Sequence, residues 1–170
     1  MINIVSGIQN AGKTRFMRDH SAGSGGDGIL SLKYYENGRH TGYDLLHIKS
    51  GASCPLIRQR DHLPAIWDTI AETGPWVFSA AAFRFAQEKL QNNLSETLYL
   101  DEIGPLEILG KAGFYPLAAA LIADEKKELF FSVRESLLET FMETFTLTRS
   151  QILIIHLTPT RGNYDRPEHS

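Results

Sequence analysis

The segment Gly7-Ile8-Gln9-Asn10-Ala11-Gly12-Lys13-Thr14 satisfies G-x-x-x-x-G-K-[ST] and stands between two elements of opposite character. Ahead of it, Met1-Ile2-Asn3-Ile4-Val5-Ser6 is short, apolar and β-branched, the composition of a strand buried in a parallel sheet. Behind it, Lys13 to His20 reads as a helix. Strand, glycine turn and helix in that order let successive main-chain N–H groups converge on a polyphosphate at the positive end of the helix dipole. In such a cradle Lys13 adds a movable positive charge and the Thr14 hydroxyl belongs on Mg²⁺. At ordinary glycine frequency a chance match in a chain this long is on the order of one in a hundred, and the flanking elements lower it further.

Beyond the helix, alternation of elements predicts an α/β chain. Ser21 to Gly28 is glycine-rich and breaks the helix; it contains G-x-G-x-x-G at Gly23, Gly25 and Gly28, but a helix precedes and a strand follows, the reverse of the dinucleotide arrangement. It reads as a mobile connection. Leu30, Leu32 and Tyr34 alternate with Ser31 and Lys33, Asn37-Gly38 supplies a turn, and Gly42 to Ile48 resumes an extended pattern, together a β-hairpin. Lys49 to Arg60 reads as a loop without a regular element, and Leu63, Ile66, Trp67 and Ile70 fall at helical spacing, with Gly74-Pro75 as the stop. A short extended piece at Trp76–Phe78, a helix marked by Phe83, Ala86 and Leu90, and a strand at Thr97–Leu100 follow. The helix of Phe114 to Ile122, the strand Leu129–Val133, the helix of Leu138 to Phe145 and the strand Ile152–Ile155 complete the alternation before a polar tail from about residue 158. This pattern predicts one domain over residues 1–170: a mostly parallel sheet with helices on both faces, three layers in all, and a hairpin insertion.

A phosphate cradle needs an acidic partner at the end of a nearby apolar strand, and Asp101, directly after Thr97-Leu98-Tyr99-Leu100, fits as the group that holds Mg²⁺. Glu102 beside it is placed to orient an attacking water. Arg134 follows a predicted parallel strand that would deliver it to the ligand edge of the sheet, where it would stabilise charge on a transferring phosphoryl group or simply open a solvated helix. Glu107 either orients water or pairs with Lys111 at i,i+4.

Gly7 to Thr14, Thr41-Gly42-Tyr43-Asp44, Leu98 to Glu107 and the late Leu157-Thr158-Pro159 occur in the order seen in the cancer-related nucleoside-triphosphatase family, which the chain resembles over nearly its whole length. That resemblance implies a P-loop NTPase fold and hydrolysis of ATP, GTP and other nucleoside triphosphates with Mg²⁺. It carries over Gly7, Ile8, Gln9, Asn10, Ala11, Gly12, Lys13 and Thr14 as nucleotide-binding residues, with Arg15 beside them, and Asp101, Glu102 and Glu107 as the acidic region. Arg134 stands where the family often has an arginine. Two departures are Arg15, where the family often has Thr or Ser, and Thr160-Arg161-Gly162-Asn163 in place of Asn-Arg, which leaves Arg161 as a candidate base-stacking residue.

The net charge of -3, without a cluster of Lys and Arg, argues against nucleic acid as the main partner. Cys54 is the only cysteine, so neither an internal disulfide nor a cysteine metal cage can form, as suits a cytoplasmic protein. No apolar run is long enough to span a bilayer, so no membrane partner is expected. A monomer is expected, and the residues name no protein partner. Two alternatives to hydrolysis stay open at this point: a phosphotransferase in which a second substrate replaces water, and a nucleotide-dependent switch module.

Overall fold

The computed structural model describes residues 1–159. Among them run β1 (Ile2–Gly7), α1 (Lys13–Ser24), β2 (Asp27–Glu36), β3 (Arg39–His47), β4 (Ser53–Gln59), β5 (Thr69–Thr73), β6 (Trp76–Ser79), α2 (Ala80–Leu90), β7 (Thr97–Ile103), α3 (Pro105–Ile108), α4 (Tyr115–Ala123), β8 (Glu128–Arg134), α5 (Leu138–Thr144) and β9 (Ile152–His156). The strands form one sheet in the order β5-β6-β4-β3-β2-β7-β8-β1-β9. From β2 to β9 neighbours are parallel; from β2 to β5 they are antiparallel. The sheet is therefore mixed, not mostly parallel as the sequence pattern predicts.

Strand alternation sorts the parallel half into two faces. Val5, Leu30, Tyr99 and Phe130 point to one side and pack with Met17 of α1. Ile4, Ile29, Leu98, Leu100 and Phe131 point to the other, where they meet Phe83 and Leu90 of α2, Leu117 and Leu121 of α4, and Phe141 of α5. Both faces are thus covered, which is what a parallel strand with a continuous apolar run requires.

Four local expectations are corrected. The glycine stretch 21–28 is not a mobile connection: α1 continues through Gly23 to Ser24 and is closed by Gly25 at φ 72°, while Asp27 and Gly28 already belong to β2. The reason is Tyr99. Its hydroxyl, fully buried, is shared with His20 Nδ1 at 2.6 Å and Ser24 Oγ at 2.8 Å, which rewards the extra turn of helix. Tyr99 leaves no room for a side chain opposite, since a Cβ on Gly26 would lie 2.6 Å from Cε2 of its ring and one on Gly28 2.3 Å from its carbonyl oxygen.

The segment 49–60 is not an unstructured loop but contains β4, paired to β3 and β6. The helix expected around Leu63 to Ile70 is absent; Ile66 is 93% exposed, and the chain instead runs into β5. Gly74-Pro75 accordingly closes the β5–β6 hairpin rather than a helix, with Gly74 at φ 57°. Finally, β7, which the sequence pattern ends in Asp101-Glu102, continues to Ile103, with a bulge there and Glu102 in the left-handed region at φ 65°.

Candidate functional site: a phosphate cradle facing an acidic pair

Residues 8–12, after β1, form the turn that the motif requires. Asn10 and Gly12 take positive φ of 63° and 88°, and Ala11 N–H donates to Ile8 O at 3.2 Å, which tightens the loop before α1 begins. Gly7 is forced by crowding: a Cβ there would lie 2.7 Å from Leu157 O, and Leu157 N–H itself donates to Ser6 O at 2.7 Å. The late Leu157-Thr158-Pro159 segment therefore abuts the opening of the cradle. Lys13 folds back, its ammonium donating to Gly7 O at 3.0 Å and Ile8 O at 2.8 Å. Burial pushes this ammonium below its ordinary value, against the pull of Asp101 and Glu102, with Arg134 adding to the decrease.

Thr14, on the first turn of α1, donates its hydroxyl to Asp101 Oδ2 at 2.6 Å across 87 residues of chain. Asp101 is 1% exposed, and its carboxylate is held from three sides: Ser31 N–H donates to Oδ2 at 3.1 Å, and the Ser132 hydroxyl donates to Oδ1. Ser132 Oγ also accepts from Glu102 N–H at 2.8 Å, so one hydroxyl fixes both acidic residues. Neither Ser31 nor Ser132 belongs to a motif in the sequence. Ser132 was discoverable as a polar interruption in the apolar run Leu129-Phe130-Phe131-Ser132-Val133.

Glu102 projects from the bulge with its side chain about one-third exposed at 32%, and Arg134 Nη2 lies 4.0 Å from its Oε1. Arg134 ends β8 in register with Gly7, which sets the guanidinium beside the cradle. Burial and then the charge of Asp101 push the Glu102 carboxyl above its ordinary value, opposed by the Ser31 hydroxyl, Arg134 and Lys13. Lys13, Thr14, Asp101, Glu102 and Arg134 are thus brought to one place by β1, α1, β7 and β8. An open groove of about 440 Å³ lined by Ile8, Gln9, Arg134, Glu135 and Ser136 lies along the same edge.

The remaining candidates sit elsewhere. Glu107 is 4% exposed, and its oxygens accept from Gly104 N–H at 2.9 Å and Phe114 N–H at 3.2 Å. It ties the turn after Glu102 to the start of α4. The alternative ion pair with Lys111 is not formed, since the Lys111 ammonium lies over the Tyr115 ring at 5.9 Å. Burial pushes the Glu107 carboxyl up to about 7, with the two amide N–H groups opposing. Arg15 is exposed on the first turn of α1. Arg161 lies outside the described residues.

Mg²⁺ fits the donor set. A hydroxyl and a carboxylate 2.6 Å apart are hard oxygen donors, and Mg²⁺ takes one or two such protein ligands while keeping waters and phosphate oxygens. Among the described residues there is no cluster of three or more His, Cys, Asp or Glu that would form an all-protein cage. No helix among them is long and apolar enough to cross a membrane.

No protein-family model matches the sequence, and a search of curated proteins finds no match. Solved structures do match. A human cancer-related nucleoside triphosphatase superposes with a TM-score of 0.67 at 20% identity, covering 91% of this chain and 87% of that one. THEP1 from the hyperthermophile Aquifex aeolicus superposes with a TM-score of 0.64 at 17% identity, covering 94% and 91%. At these identities the likeness establishes a shared fold with both proteins, in keeping with the resemblance read from the sequence.

Proposed function

We propose that the chain is a nucleoside triphosphatase that hydrolyses NTP to NDP and phosphate with Mg²⁺. The observation that carries this reading is the Thr14–Asp101 hydrogen bond, which closes a phosphate cradle onto an acidic strand end with Glu102 one residue beyond. Main-chain N–H groups of residues 8–12 and the Lys13 ammonium would hold the polyphosphate. Thr14 and Asp101 would hold Mg²⁺, which when bound neutralises charge on the β- and γ-phosphates. Glu102 orients a water whose oxygen attacks the γ-phosphorus as the bond to the β-phosphate oxygen breaks, and it accepts the proton released. Arg134 stabilises charge spread over the transferring group.

Base preference is broad in this reading, because the cradle contacts phosphates and the base contributes little. The family likeness supports the same activity, since one structural neighbour is itself described as a nucleoside triphosphatase. The test is phosphate release from ATP, GTP, CTP and UTP by the whole chain, with and without Mg²⁺. Release from all four that stops on chelation is expected. No release from any triphosphate, with binding intact, would remove the hydrolase reading.

A further inference from the structure

The antiparallel half of the sheet has no part in the hydrolysis above, yet it stands at the catalytic end of the cradle. Across the sheet the order is β1, with the cradle; β8, with Arg134; β7, with Asp101 and Glu102; then β2 and β3. The γ-phosphate end of a bound triphosphate would therefore face the β2–β3 hairpin, a statement that rests on the proposed reading of the cradle. In β2, Ile29 is in register with Leu100, so Lys33 to Glu36 run past the end of β7. At 3.3 Å per residue the hairpin rises roughly 13 Å above the strand ends beside Glu102.

That overhang is aromatic. Tyr35 and His40 lie 5.6 Å apart, His40 and Tyr43 4.7 Å, His40 and Trp76 5.5 Å, and Tyr43 and Trp76 6.3 Å between ring centroids, His40 and Tyr43 edge to face and the others tilted. Tyr35 is 44% exposed and the other three are half-buried, so the cluster forms a wall rather than a sealed core. The base of the wall is rigid. A Cβ on Gly42 would collide with Ile57 O, and Arg58, 5% exposed, packs against Gly42, stacks over the Tyr34 ring at 3.8 Å and donates to Asp44 Oδ1 at 2.6 Å. Beside it Thr41, at the register shift between Tyr34 and Tyr35, is 1% exposed, and its hydroxyl has no hydrogen-bond partner among the described residues.

We propose that this hairpin wall is a second ligand subsite, separate from the triphosphate cradle, which stacks the planar ring of an unphosphorylated nucleoside. Several tilted rings present π-faces to a base, and such stacking tolerates any base. The sugar of a nucleoside supplies hydroxyls for the Tyr43 phenol. Burial pushes the Tyr43 phenol up to about 12, with Glu102 adding and Arg134 opposing, so it remains a donor over the working range and lies within the field of the catalytic pair. Glu102 on one side disfavours an added phosphate, which selects the nucleoside over its nucleotide, while Glu36 at the top of the hairpin is paired with His62 Nδ1 at 2.5 Å.

The test is calorimetric titration of the whole chain with adenosine, guanosine, cytidine and uridine, after saturation with Mg²⁺ and a non-hydrolysable triphosphate analogue. At least one nucleoside is expected to bind saturably with the analogue in place. Tyr35→Ala and Tyr43→Ala should each weaken it about tenfold or more, and Tyr35→Phe should restore it. Because Tyr35 is the most exposed ring, its variant keeps the test valid if Tyr43→Ala fails to fold. Lys13→Ala should lose the triphosphate but keep the nucleoside, so failure of the cradle and failure of the wall read out separately. No nucleoside binding, displacement of the nucleoside by the analogue, or unchanged affinity in the Tyr35→Ala variant would overturn the subsite.

Discussion

Glu107→Gln isolates the cost of holding a carboxyl inside the turn behind the acidic pair Asp101 and Glu102. The wild-type group is 4% exposed and stands at about 7 in the folded chain against an ordinary value of 4.5. A folded value raised above the unfolded one means the native state binds the proton more tightly. Its stabilising effect is therefore complete below 4.5 and is lost as the pH rises to 7. At 1.36 kcal/mol per unit, that shift makes the wild type about 3 kcal/mol less stable above pH 7 than below 4.5. Urea unfolding of both proteins from pH 4 to 8 measures it. Other titrating groups are common to the two chains, so the difference between their curves belongs to residue 107. The wild type should fall by about 3 kcal/mol relative to the variant across this window. Parallel curves, or a wild type that gains on the variant as pH rises, would refute the reasoning. Such a result would mean that the amide N–H groups of Gly104 and Phe114 outweigh burial and keep the carboxylate ionised throughout.

Two further substitutions probe the frame and the charge of the site. Gly42→Ala places a methyl group against Ile57 O and 2.9 Å from Arg58 Cδ, and thermal unfolding should show a loss of about 1–3 kcal/mol. Arg134→Ala removes the guanidinium beside Glu102 and should lower kcat for triphosphate hydrolysis by about a hundredfold, with binding little changed.

The cradle and Asp101 are legible in the sequence because their geometry is local: a glycine turn between a buried strand and a helix has few conformations, and an acidic residue after an apolar strand has one edge to reach. The antiparallel half is less legible because its order is set by distant pairing. Leu63, Ile66, Trp67 and Ile70 have helical spacing, yet β5 forms because Thr69–Thr73 pairs with β6 and Asp68 O accepts from Ala80 N–H at 2.7 Å. The glycine stretch looks like punctuation in one dimension, and strand β7, with the Tyr99 ring and Thr97 against Gly26 and the Tyr99 main chain against Gly28, explains both glycines as clearance. Glu107 shows the same limit for chemistry: an acidic residue five positions after Glu102 reads as catalytic until the fold shows its oxygens taken by main-chain amides.

The division of labour between cradle and acidic pair is tested most directly by Glu102→Gln compared with Lys13→Ala, with triphosphate affinity and phosphate release measured on each. The glutamine variant should bind triphosphate nearly as the wild type does while turnover disappears, and the alanine variant should lose binding itself. Equal loss of affinity in both, or undiminished phosphate release from Glu102→Gln, would contradict the assignment of water activation to Glu102.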